Sequence, residues 1–214
     1  MTPERLAYWY FRLNGFLTIE NFVVHPDSGT AQRTDADLIA VRLGHRQENA
    51  ERPMVDDPKV ADCVTLVNVI VAEIKTGLCS LNGPWTAPEQ ENMQRVLRAV
   101  GCVPPFSLAE AAAALYESGY WSGEGVTVRL FAVGEHRNPA LLLPESQQVT
   151  WDEIIDFCYQ RFRAYRRQKS SVGIWEPDGQ HLQRLARSSR LNRDALRQAF
   201  GLRAVQEPPP VRNP

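Results

Sequence analysis

The stretch LVNVIVAEIKTG, residues 66–77, decides how the rest of the chain is interpreted. Apolar and β-branched residues predominate up to Ala72, which predicts a buried strand. Glu73 and Lys75 follow at alternate positions, so their side chains lie on one face of that strand. Ionisable side chains are almost never fully buried unless they are paired or bound to something. The strand end therefore carries either a short ion pair or part of an active site.

Composition sets the class of protein. The 214 residues are 43% hydrophobic and 23% charged, which suits one globular core. No run approaches the roughly 18 apolar residues of a membrane span, and the N-terminus has charges where a signal peptide has an apolar block. The cysteines lack zinc-site spacing and are expected to be reduced thiols, which favours a cytoplasmic location. They are Cys63, Cys79, Cys102 and Cys158.

Hydrophobic periodicity predicts a helix, three strands, helices and a further strand, which indicates an α/β fold with helices packed on a mixed sheet. The predicted segments of the first half are a helix over 3–14 and strands over 16–25, 34–43 and 63–75, with a turn at PDSG, residues 26–29. A helix is predicted from Thr86, where TAPE has the pattern of a capping box, and Gly101 is expected to end it.

The second half is predicted to be mainly helical. Its segments are a helix at SLAEAAAALYES, strands at VTVRLFAVG and ALLLP, a helix from a capping box at Thr150 and Glu153, and short helices near 179–188 and 192–200. We divide the chain into a core over 1–147 with an inserted loop at about 44–62, a basic helical extension over 148–203, and a flexible tail over 204–214.

Charge is unevenly distributed along the chain. The net charge is −1, yet residues 161–203 contain eleven Lys or Arg and only three acids. Such a segment is typical of a surface that binds a polyanion, and its two short helices have some likeness to a helix-turn-helix. Solvated faces of two amphipathic helices would give the same pattern, so both interpretations stay open.

Asp37 completes the candidate site if the second and third strands pair as neighbours. That pairing puts Asp37 across from Glu73 with Lys75 beside them, and two converging carboxylates repel unless a cation lies between them. All-oxygen ligation suits Mg²⁺ or Mn²⁺, and a lysine can orient the metal-bound water and stabilise developing charge. These groups are what phosphodiester hydrolysis needs. The simpler alternatives are an exposed Glu73–Lys75 ion pair and an aspartate, Asp37 or Asp35, that hydrogen-bonds its own turn.

DADLIAV, through Asp37, and AEIKTG, through Glu73 and Lys75, resemble the second- and third-strand motifs of the PD-(D/E)xK nuclease superfamily. The resemblance covers roughly residues 3–135 and implies a restriction-endonuclease-like αβββαβ core with Asp37 and Glu73 as metal ligands. It also implies that Glu4, which precedes the pair Gly15–Phe16 as a first-helix glutamate does in that family, reaches the metal directly or through water as part of the catalytic site. The sequence has AD for the literal PD, and the long interval from Asp37 to Glu73 accommodates the 44–62 insertion.

The resemblance implies a Mg²⁺- or Mn²⁺-dependent nuclease that cuts DNA to leave 5′-phosphates, in restriction, repair or anti-phage defence. An assisting glutamine would be Gln90 or Gln94, and the sequence does not choose between them. RNA stays open as a substrate, and a homodimer or a partner protein is compatible with double-strand cleavage. The competing hypothesis is a non-catalytic module of the same fold that binds nucleic acid or a partner protein.

Overall fold

A computed structural model describes residues 1–25, 33–63, 65–170, 175–187 and 190–204. Within these ranges the fold is α/β, with helices on both faces of one mixed, six-stranded sheet. The helices are α1 Pro3–Leu13, α2 Pro58–Ala61, α3 Asn92–Val100, α4 Leu108–Ser118, α5 Trp151–Ala164, α6 Pro177–Ala186 and α7 Arg193–Ala199. The strands are β1 Leu17–Val24, β2 Thr34–Leu43, β3 Val67–Ile74, β4 Tyr120–Gly123, β5 Val126–Gly134 and β6 Gln148–Thr150.

The strand order β1-β2-β3-β5-β4 places β3 in the middle of the sheet. β1, β2 and β3 form an antiparallel meander, and β3 then pairs in parallel with β5 after the connection through α3 and α4. β4 and β6 both pair with β5, at its first and last residues respectively. The described helices include none that is both long and apolar enough to cross a bilayer.

Two hydrophobic cores explain why β3 is apolar along its whole length. Ile70 and Ala72 pack with α1, α5, α6 and α7 on one face, whereas Val69 and Val71 pack with α3 and α4 on the other. All four side chains are essentially excluded from solvent. A strand covered on both faces shows a continuous apolar run instead of the alternation of a half-exposed strand. Two buried polar residues interrupt this run, Asn68 near the start of the strand and Glu73 near its end.

Most of the predicted elements are confirmed. β2 has the predicted bounds, α1 and the strand β5 lie where expected, and Gly101 ends α3 in the left-handed conformation at φ 73°. The capping box at the start of α5 is present, with Thr150 and Glu153 bonded to each other's backbone. The two short C-terminal helices are also confirmed, as α6 and α7. The predicted turn at 26–29 lies outside the described residues.

The predicted helix start at Thr86 is wrong. Residues 83–85 and 88–90 form short 3-10 turns, and α3 begins only at Asn92, after Glu91 in the left-handed region at φ 55°. The reason is that Ala87 precedes Pro88, and a residue before proline is disfavoured in helical conformation. Ala87 accordingly has φ −119° and ψ 83°.

One strand prediction in the second half is also wrong, and the strands β4 and β6 were not predicted. ALLLP, residues 140–144, forms turns, and the strand that follows β5 is β6 at 148–150. The hairpin strand β4 was missed because it is only 4 residues long. A segment this short gives almost no periodicity to detect.

The loop at 44–62 is held against the body of the protein through Asp56. Its carboxylate accepts hydrogen bonds from Arg42 at 2.8 Å, Arg46 at 3.2 Å and Arg161 of α5 at 2.8 Å. The side chain of Arg161 is 1% exposed and that of Asp56 is 8% exposed. This contact joins the loop to residues on the far side of the 147/148 boundary, where α5 also shares one core with α1. The division into domains stays a prediction, and residues 205–214 of the predicted tail lie outside the described residues.

We expect Asp56→Ala to lower the free energy of unfolding by about 3–5 kcal/mol, because it leaves Arg161 as a buried cation without its carboxylate. Urea denaturation monitored by circular dichroism measures this loss. Glu51→Ala is the matched control, since Glu51 is an exposed acid of the same loop. Equal stability of the two variants would show that Asp56 does not hold the loop.

Candidate functional site

The β2–β3 register brings the predicted acids to one end of the sheet. The pairing sets Leu38 opposite Ala72, so the next positions outward are Asp37 and Glu73. The Asp37 carboxylate reaches across to β3 and its Oδ2 accepts a hydrogen bond from the Ile74 N–H at 2.7 Å. Asp37, Glu73 and Lys75 therefore lie together, as the strand pairing predicted. Their roles in catalysis and metal binding stay predictions.

A local irregularity gives Asp37 its sideways orientation. Asn21, the β1 residue next to Asp37, has φ 50°, and the pairs on either side, Glu20–Leu38 and Phe22–Ala36, keep the same register. Leu38 packs in the core with α1, whereas Ala36 packs in the core with α3. The side chains of β2 thus switch from one face of the sheet to the other between Ala36 and Leu38. Asp37 lies between them, and its carboxylate is directed toward the end of β3.

Glu73 is the most buried acid of the group, at 1% exposure. Both of its carboxylate oxygens have protein partners: Lys75 Nζ bonds to Oε1, and the Trp85 indole N–H donates to Oε2 at 2.7 Å. Trp85 is 2% exposed, whereas the Lys75 side chain is 28% exposed. The carboxylate is therefore held between a solvent-facing cation and a buried neutral donor.

The electrostatics of the site favour an additional positive charge. Burial raises the pKa of Glu73, and the nearby Asp37 charge raises it further, while the bonds from Lys75 and Trp85 oppose this rise. Burial also raises the pKa of Asp37, against the opposing effects of the Ile74 N–H and Lys75. Ionised Asp37 and Glu73 thus destabilise each other, and a cation between them would relieve the repulsion.

Glu4 lies in the first turn of α1 and is partly buried. Its negative charge contributes to the raised pKa of Asp37, so the N-terminus of α1 lies near the acids. Gln90 lies in the turn before α3, where its side chain accepts from Asn92 at 3.0 Å and its carbonyl from Arg33 at 2.8 Å. The choice between Gln90 and Gln94 stays open.

The carboxylates fit a divalent cation by their chemistry. Among the described residues, no group of three or more His, Cys, Asp or Glu side chains is arranged around one point as a ready-made cage. Mg²⁺ does not need such a cage, since one or two carboxylates together with water and substrate phosphates commonly hold it. Asp37 and Glu73 would supply those carboxylates, and Lys75 would have to leave Glu73 Oε1 for a metal to bind there.

Trp85 is a site residue that the sequence analysis did not identify. The available signal was chemical: a buried indole N–H nearly always finds an acceptor. Two further buried tryptophans follow the same rule: Trp151 donates to the Lys75 carbonyl at 3.2 Å, and Trp121 donates to Glu110 at 3.2 Å. The Trp151 bond fixes the backbone where β3 ends.

No family model, no curated protein and no solved structure matches this chain. The function is therefore argued from the residues of the site, as it has to be where a fold alone does not define an activity.

We expect Asp37→Asn to stabilise the protein relative to the parent increasingly as pH rises from about 4 toward neutrality in the presence of a chelator. The folded-state pKa of Asp37 is raised, so its contribution to stability is present below the unfolded pKa and is lost as pH rises through the folded pKa. The amide that replaces the carboxylate keeps an oxygen that accepts from Ile74 but carries no charge. Urea denaturation across this pH range measures the difference between the two proteins.

Glu117→Gln is the control, because Glu117 is an exposed acid on α4. A pH-dependent stabilisation as large for Glu117→Gln as for Asp37→Asn would contradict the explanation by burial.

Proposed function

We propose that this chain is a cytoplasmic, metal-dependent nuclease that hydrolyses DNA phosphodiester bonds on a restriction-endonuclease-like core. The single observation that carries this proposal is the convergence of Asp37, Glu73 and Lys75 where β3 ends beside the first residues of β2. A helix, an antiparallel three-stranded meander, two helices and a parallel strand surround this point, which agrees with the core implied by the sequence resemblance.

In the proposed reaction the acids bind and the lysine acts on the substrate. Asp37 and Glu73 would hold Mg²⁺ or Mn²⁺, with Glu4 near enough to contribute through water. The cation, when bound, supplies Lewis acidity and makes water a stronger nucleophile. Lys75 lies at the solvent boundary, where its ammonium group can leave Glu73, orient the attacking water and stabilise the negative charge that develops on the phosphate.

We expect the parent protein to cleave plasmid and linear DNA with Mg²⁺ or Mn²⁺, and Glu73→Gln and Lys75→Met each to lose about a hundredfold or more of the rate. Glu73→Gln removes the charge that attracts the cation, and Lys75→Met removes the ammonium group but keeps the length of the side chain. Gel electrophoresis measures cleavage, and religation of the product by DNA ligase tests for the 5′-phosphate. An RNA substrate of the same sequence tests the choice of sugar.

Glu117→Gln is the control, because Glu117 is an exposed acid on α4. Cleavage at parental rate by both site variants would remove Glu73 and Lys75 from the mechanism. Absence of cleavage by the parent with Mg²⁺ and with Mn²⁺ would contradict the proposed nuclease.

A non-catalytic module is the second candidate function, favoured by the occupancy of both Glu73 oxygens by protein donors. A carboxylate satisfied in this way can be purely structural. This alternative predicts nucleic-acid or partner binding without cleavage under any metal, and for nucleic acid an affinity that falls as salt rises. Filter binding across a salt series, run beside the cleavage assay, separates it from the enzyme.

A further inference from the structure

The bond between Trp85 and Glu73 ties the sheet to the helical layer above it. Glu73 belongs to β3, whereas Trp85 ends the short turn Gly83–Trp85 that precedes α3. The bond length is 2.7 Å, and neither side chain is more than 2% exposed. Water therefore cannot replace the indole as the donor to Glu73 Oε2.

The turn that carries Trp85 is itself fixed by α3 and α4. The hydroxyl of Tyr116, on α4, donates to the Pro84 carbonyl at 3.3 Å and accepts from the Met93 N–H of α3 at 3.1 Å. The Trp85 backbone N–H donates to the Asn82 carbonyl at 3.0 Å. The indole is thus held at a defined height above the sheet by both helices, independently of the strand that it contacts.

We propose that Trp85 is a positioning residue, which holds one oxygen of Glu73 so that the other is presented to the cation. This inference rests on the proposed function. With Oε2 held by the indole, Oε1 is the oxygen directed toward the solvent-facing Lys75. Partners of metal ligands in this outer position set the ligand's orientation, and their loss typically costs about 10–100-fold in metal affinity.

A second tryptophan–glutamate pair on the same side of the sheet supplies the matched control. Trp121 donates to Glu110 at 3.2 Å and is 5% exposed, so Trp121→Phe removes an indole bond of the same kind. Glu110 is exposed, and water can satisfy it once the indole is gone. Both variants shorten a buried tryptophan to phenylalanine, whereas only Trp85→Phe leaves a buried carboxylate without its donor.

We expect Trp85→Phe to weaken Mg²⁺ and Mn²⁺ binding by about 10–100-fold in calorimetric titration, and Trp121→Phe to leave it close to the parent's value. Trp85 lines a cavity of about 240 Å³, and the smaller phenylalanine side chain enlarges this cavity. The fold of each variant is therefore checked by circular dichroism. Binding by Trp85→Phe that is as tight as the parent's would overturn the positioning role.

A spectroscopic readout keeps the test valid even if Trp85→Phe does not fold. The indole N–H resonances are recorded by ¹⁵N NMR in the parent, and the Trp85 and Trp121 signals are assigned with tyrosine or phenylalanine variants that do fold. We expect Glu73→Gln to shift the Trp85 signal without metal, and Mg²⁺ to shift it in the parent, while the Trp121 signal stays in place. A Trp85 signal that shifts neither with Glu73→Gln nor with added Mg²⁺ would overturn the inference.

The two proposals fail in different ways. If the parent neither binds Mg²⁺ nor cleaves nucleic acid while Glu73→Gln still shifts the Trp85 signal, the proposed nuclease is wrong and the orienting bond to Glu73 is supported. If the parent binds metal and cleaves DNA while Trp85→Phe binds metal like Trp121→Phe, the nuclease is supported and the positioning role is wrong.

Discussion

A buried carboxylate at the end of a central strand is the constraint on which this site depends. Glu73 has helices above it and strands on either side, so its charge cannot be solvated and must be compensated by protein groups. Lys75 and Trp85 do this from opposite directions, one from the solvent boundary and the other from the interior. The geometry of the strand end, of the turn before α3 and of Lys75 is set together by this single group.

Asp37 satisfies a different requirement with a similar result. The irregular backbone at Asn21 breaks the normal alternation of side chains at the neighbouring Asp37. The Asp37 carboxylate therefore accepts a hydrogen bond from the Ile74 N–H, at the edge of the β2–β3 ladder. An aspartate in regular strand geometry would project from one face of the sheet. The irregularity instead brings a second negative charge to the end of β3. Burial raises the pKa of both acids, and the Asp37 charge raises that of Glu73 further. Repulsion of this kind is typical of sites that work with a cation or a proton in place.

Sequence patterns predicted the parts of this arrangement that are local. The bounds of β2 and the capping box of α5 follow from alternation and from residues a few positions apart. The proximity of Asp37 to the end of β3 is not local: it was predicted on the condition that β2 and β3 pair as neighbours, and they do. The role of Trp85 was not predicted, because its acceptor Glu73 lies in the sheet and only tertiary packing brings the two side chains together. The start of α3 at Asn92 was also not predicted. The pattern TAPE is typical of a capping box, but Pro88 disfavours helical conformation at the residue before it.

The basic segment at 161–203 has fewer unpaired positive charges in the folded chain than its sequence suggests. The most buried cations of the basic segment, Arg161, Lys169 and Arg197, pair with acids outside it: Asp56, Glu48, and Asp152 with Glu135. These cations hold the 44–62 loop and α7 against the body of the protein, and they do not form a free surface for a polyanion. The part of the asymmetry that can attract nucleic acid is carried by exposed arginines such as Arg166, Arg167 and Arg184. An electrostatic interface on this segment is therefore smaller than its net charge suggests, because its most buried cations are already paired with carboxylates of the same chain.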